Sequence, residues 1–173
     1  MSAQKFLALV GGKMRQVAAI ITSAGAADAN KIIAAGPDGR LDASLLPVGV
    51  GVNTVSAVAS EACGAGKFVN LYGDAGALKM RLADNSNGRP AHGFVQAEVL
   101  SAATGAVYPL DTTNAGVTGL SAGGEYWLGT AGGVIAAPLD AADDANANKI
   151  NQLLGVAMSA TELRTDDYGY QVL

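Results

Sequence analysis

From Val50 onward the sequence is cut into short apolar runs by Gly, Asn and Asp, with a turn signal every eight to fifteen residues. This spacing constrains the fold more than any other feature. A long helix needs an uninterrupted periodic face, whereas frequent turns leave room only for short strands. Candidate strands cover residues 52–59, 67–72, 78–82, 93–99, 106–110, 125–128, 133–136 and 154–157, with a tail at 168–173. Gly64-Ala65-Gly66, Asp74-Ala75-Gly76, Asn87-Gly88-Arg89-Pro90 and Thr130-Ala131-Gly132-Gly133 supply the intervening turns. Two such layers pack their Val, Leu, Ile and Ala inward and leave small polar groups outside. The expected class is mainly β, a compact β-barrel or β-sandwich module.

Residues 1–50 read differently, as an extended N-terminal arm and linker with short elements, ahead of a β-rich body at 51–173. The first fifty residues carry five Lys or Arg and three Asp, a local charge of +2. The remainder carries six basic and twelve acidic residues, −6, consistent with the overall −4. Residues 14–22 fit either a short strand or a short helix, because Val17, Ile20 and Ile21 satisfy both patterns. Asp28 is placed to cap a turn before Lys31-Ile32-Ile33, and Pro37-Asp38-Gly39 signals a reversal. Leu41, Leu45 and Leu46 have helical spacing after Asp42, but Pro47 and Gly49 stop it. Such an arm cannot bury both sides of its apolar residues alone. Residues 140–149 lack an inward apolar stripe and are expected to form an exposed loop. A faint echo links 105–111 with 133–140, each a Gly, a short run and a Pro-Leu-Asp exit.

Chemistry-bearing motifs are scarce. The net charge of −4 argues against binding nucleic acid through phosphate neutralisation. The apolar runs at 6–10 and 17–21 are too short to cross a membrane, and Gly11-Gly12-Lys13 separates them. His92 is the single imidazole and has no Gly-x-Ser-x-Gly partner, so a turn or strand-edge role is expected. Cys63 is the single thiol, which excludes an intrachain disulfide and a thiolate zinc cluster, and reads as a small buried residue. Gly64-Ala65-Gly66-Lys67 lacks the remainder of a phosphate loop, with Phe68 where a hydroxyl is needed, so its glycines read as turn glycines. Asp38 and Asp42, and Asp140, Asp143 and Asp144, lack calcium-loop spacing and read as turn carboxylates. Few Trp and Tyr are available as platforms for a sugar cleft, and Trp127 is assigned to the core or a subunit seam. The expectation is a non-enzymatic chain with no catalytic residue, metal or cofactor.

The segment Gly36-Pro37-Asp38-Gly39-Arg40-Leu41-Asp42-Ala43-Ser44-Leu45-Leu46-Pro47-Val48-Gly49-Val50-Gly51 resembles a stretch of small structural proteins of tailed bacteriophages. Ser60-Glu61-Ala62-Cys63-Gly64-Ala65-Gly66-Lys67-Phe68-Val69-Asn70-Leu71-Tyr72 is similar to their strand entry, with Cys63 where Leu is commoner. Residues 79–84, 91–95, 124–134 and 154–159 continue the series, so that the resemblance runs from residue 23 to 163. It implies a virion part: a capsid decoration (cement) protein on the outside of the major capsid protein lattice, or alternatively a head-fibre, tail or baseplate attachment module. It further implies symmetric homo-oligomers, with a trimer favoured, and a location on the capsid surface after assembly in the host cytoplasm. Phe6, Leu9, Val17, Ile20, Ile21, Leu45 and Leu46 are the expected interface residues, with Trp127 as a further anchor. No nucleic acid or membrane partner is expected.

Overall fold

The computed structural model describes residues 4–37, 39–46 and 53–173. The chain forms two compact units, Met1–Val52 and Asn53–Leu173. In the first, β1 (Lys5–Val10) and β2 (Lys13–Ala18) form an antiparallel hairpin in which Val10 faces Lys13. Gly11 and Gly12 make its two-residue turn with φ of 60° and 75°. Two successive left-handed residues match the twist of the flanking strands, and Gly adopts them without a Cβ penalty. Residues 14–22 thus resolve in favour of a strand over their first part. Gly-Gly between two apolar runs was the hairpin signal. After the hairpin come one-turn 3-10 helices at Ala26–Asp28 and Ala43–Leu45 and a parallel bridge between Ile20 and Ile33. The Asp28 carboxylate accepts the Ala24 amide at 2.6 Å, and Asp42 accepts the Ser44 amide at 2.9 Å. The expected roles of Asp38, Pro47 and Gly49 lie outside the described residues.

The second unit is mainly β. Its strands β3 (Val55–Ala59), β4 (Phe68–Asp74), β5 (Ala77–Leu82), β6 (Gly93–Phe94) and β7 (Thr104–Val107) form one sheet in the order β6-β4-β5-β3-β7. Phe94 and Tyr108 exchange backbone hydrogen bonds of 3.0 and 2.9 Å, joining the two outer strands and closing the sheet toward a barrel. Strands β8 (Thr113–Asn114), β9 (Glu125–Leu128), β10 (Val134–Ile135), β12 (Leu153–Ala157) and β13 (Leu163–Thr165) form a second sheet in the order β10-β9-β12-β13-β8. Between them in sequence, β11 (Ile150–Asn151) pairs with the tail strand β14 (Gln171–Val172). Val52, expected to open the first body strand, lies outside the described residues. The expected strand at 93–99 breaks after Phe94, because the Val95 amide turns to the Lys67 carbonyl and Val99 bridges Cys63. Residues 140–149 are an exposed loop with a 3-10 turn at Asp144–Asn146, capped by Asp143.

Alternation along β4 and β6 explains how the sheets share a wall. Val69 and Val95 point into the barrel with Ala57, Cys63, Met80 and Val107. Their neighbours Phe68 and Phe94 point the other way, onto Leu128, Leu154 and Leu163 of the second sheet. The Phe94 ring stacks on Tyr108 at 5.6 Å and meets Phe68 at 6.0 Å. Where strands stop, buried amide side chains continue the hydrogen bonding. Gln152 accepts the Ala91 amide at 2.8 Å and donates to the Ala91 carbonyl at 2.9 Å, standing in for a strand partner. Asn85 donates to the Leu128 carbonyl, and Asn114 to the Gly66 carbonyl, each at 2.9 Å. At this last latch the backbones nearly touch: a Cβ on Gly66 would sit 2.1 Å from the Gly116 oxygen. Gly66 of the Gly64–Lys67 loop therefore serves close approach as well as turning.

Two predictions follow from these contacts. Gln152→Ala leaves the buried Ala91 amide and carbonyl without partners, a loss of about 2–4 kcal/mol read from urea unfolding midpoints. Asp84 accepts Ser86 Oγ at 2.6 Å and the Ala131 amide at 2.9 Å, tying two turns together. Burial pushes its carboxyl up, but the Ser86 hydroxyl, the two amides and Arg89 pull it further down, leaving it below its ordinary value. The unfolded chain therefore binds this proton more readily, so the stability is complete above the unfolded value near pH 4 and is lost as pH falls through the folded one. Asp84→Asn should flatten the acid limb of a melting-temperature profile, and an unchanged limb would refute this assignment.

Candidate functional site

The hairpin is built from residues that leave apolar atoms on both of its faces. In a strand, successive side chains alternate, but Phe6-Leu7-Ala8-Leu9-Val10 contains no polar residue to define an outside. Pairing Phe6 with Val17 and Ala8 with Arg15 makes one face, and Leu7 with Gln16 and Leu9 with Met14 makes the other. On the first face Phe6, Ala8 and Val17 are half-buried. On the second, Leu7, Leu9 and Met14 are 66%, 70% and 63% exposed. Among the described residues of Met1–Val52, none is buried. The described part of this unit has secondary structure without an interior.

The expected interface residues distribute as follows. Phe6 and Val17 meet directly across the hairpin, whereas Leu9 stands opposite Met14. Ile20 is half-buried at its bridge to Ile33, and Ile21 is exposed. Leu45 is half-buried and Leu46 exposed at the end of the second 3-10 turn. Trp127 belongs to the other unit. In β9 its neighbours Tyr126 and Leu128 face the core, so Trp127 lies on the opposite face and is half-buried. Sequence reasoning omitted Met14, Ile32, Ile33 and Leu41 from its interface set, and Leu7 and Val10 with them, although all are exposed. The strand period of the hairpin was the signal that would have found Leu7, Val10 and Met14.

The residues considered for chemistry hold structural positions. Cys63 is fully buried in the barrel, where burial, and then the negative charge of Glu61, push its thiol up to about 11. A thiol so placed stays protonated and unreactive at neutral pH. His92 is exposed, and its Nδ1 accepts the Leu71 amide at 3.0 Å. Asp140 and Asp143 accept backbone amides two residues ahead, at 2.9 Å each. Among the described residues there is no group of three His, Cys, Asp or Glu that could hold a metal ion. No described helix is long and apolar enough to cross a membrane.

No family model matches the chain, and no curated protein matches it. Among solved structures it is similar to the head fiber gp8.5 N base of bacteriophage phi29. The identity is 11% and the TM-score 0.44, over 67% of this chain and 98% of that one.

Proposed function

We propose that this chain is a non-enzymatic structural part of a tailed-phage virion, an attachment module of the head-fibre, tail or baseplate kind. The observation that carries the reading is that none of the described residues of the N-terminal unit is buried, whereas the body has two buried clusters. An isolated hairpin is marginal in water, and a unit of this size cannot hold its shape on the area it buries alone. Its apolar faces are therefore interface. In this reading copies of the unit cover one another, as a trimer, and anchor the assembly to the virion. Repetition of weak apolar contacts around a closed ring gives firm attachment without any single strong contact.

The decoration reading, with the chain spread over the major capsid protein lattice, has its own support. The body exposes Val55, Leu78, Leu100 and Met158, which a shell surface could cover. A cryo-electron-microscopy reconstruction of the particle carrying this chain separates the two. Density at a vertex, fibre or tail is expected, with the N-terminal unit at the attachment point. Density repeated over the whole shell would favour decoration, and absence from the particle would remove both. In solution, Leu7→Glu with Leu9→Glu should convert an oligomer into monomers by light scattering while the body's melting transition stays in place. Monomers of the unaltered chain would overturn the self-association.

A further inference from the structure

Seven large apolar side chains are exposed on the body, and three of them, Tyr168, Tyr170 and Val172, alternate along the C-terminal segment. This segment is held at both ends. The Asp166 amide donates to the Leu154 carbonyl, and β14 pairs with β11. Between these ties Gly169 turns the chain, and the two tyrosines stand 55% and 53% exposed. Two cavities flank them. One, of about 360 Å³, is walled by Trp127, Tyr168 and Tyr170. The other, of about 550 Å³, shares Gly169 and Tyr170 with the first. Composition alone argued against aromatic platforms, with one Trp and five Tyr in the whole chain. Folding brings three of those six to one place.

The polar groups around the rings are of the complementary kind. Asn151 lines the first cavity, and Asp111 and His92 line the second. Because His92 Nδ1 accepts the Leu71 amide, Nε2 is left as the ring's N–H donor. Asp111 supplies acceptors, the tyrosine hydroxyls supply both, and Asn151 offers an amide. No Lys or Arg lines either cavity, whereas Asp111 and Asp167 are both acidic. A flat aromatic face beside mixed donors and acceptors suits a ligand with an apolar ring face and a rim of hydroxyls. The carboxylates, without a compensating cation, disfavour an anion.

We propose that the body carries a carbohydrate-binding groove running past Trp127, Tyr168 and Tyr170, and that its ligand is a neutral oligosaccharide. This goes beyond attachment and holds for either location on a virion. Trp127 is the sole tryptophan and lies in the groove, so its emission reports occupancy directly. The full chain is titrated with chitohexaose, maltohexaose and, as the anionic counterpart, hexagalacturonate, with calorimetry alongside fluorescence. A saturable response is expected from at least one neutral hexasaccharide, with hexagalacturonate at least roughly tenfold weaker. Tyr170→Ala and Asp111→Asn, on different segments, should each weaken binding about tenfold with an unchanged melting transition. Should Tyr170→Ala lose the fold, Tyr170→Phe with Asp111→Asn decides the same point. The proposal is overturned by no response to both neutral sugars, by equal binding of hexagalacturonate, or by variants that bind like the original chain.

Discussion

In the body, a neutral carboxamide side chain repeatedly completes what the main chain leaves unfinished. The strands run from two to seven residues, too short for the ladders alone to pair every buried peptide group. A primary amide carries one acceptor and two donors on a single plane, so it can replace a neighbouring peptide without bringing in a charge. Gln152 does this for Ala91, Asn85 for Leu128 and Asn114 for Gly66. Each of these bonds spans tens of residues in sequence and ties one part of the body to another. The peptide groups bordering the shared wall of Phe68, Phe94 and their partners thus find protein partners. No buried side-chain nitrogen or oxygen among the described residues lacks a partner.

The N-terminal unit obeys the opposite logic. Its two strands pair only with each other, and its apolar surface is not put away. A strand pair gives up chain entropy when it orders, and only burial of side chains offsets that loss. The body meets this requirement internally with two clusters, while the hairpin, in the proposed reading, meets it by association. Charge divides along the same line: Lys5, Lys13 and Arg15 sit on the hairpin, whereas acidic residues outnumber basic ones two to one beyond residue 50. One chain thus joins a segment with exposed apolar surface to a module with an interior of its own.

How much of this could be read from residues depended on how locally each feature is encoded. The turn at Asp74-Ala75-Gly76 was legible because Gly76, at φ of 80°, is the residue type a left-handed turn position favours, although Ala75, at 50°, is not. The body's β-rich class followed from such turns. Strands β8, β11 and β13 were not legible, since each is two or three residues long and owes its place to distant partners. Buried Asn85 and Asn114 look the same in sequence as the many asparagines that make turns. Interface candidates such as Phe6 and Leu9 stood out as apolar residues in a sparse context, but the exposed set around them needed the hairpin register. Tyr168 and Tyr170 lie some forty residues from Trp127, so nothing local announced their common groove.

The parallel pairing of β3 with β5 has a kinetic consequence. Strands β4 and β5 are joined by a two-residue turn and can zip together as a local hairpin within microseconds. Strand β3 precedes both, yet pairs with the far side of β5 and then receives β7, which the chain supplies about forty-five residues later. Each of those steps closes a longer loop before its contacts return anything, which slows folding relative to a simple meander. During that interval the edge of β5 is open, and its exposed Leu78 lies beside that edge. In the proposed assembly, emerging chains held close together by their N-terminal hairpins would meet at high local concentration while this edge still lacks its partner. Assembly is therefore safest after the barrel has closed, and the topology favours bodies that finish folding before their arms engage.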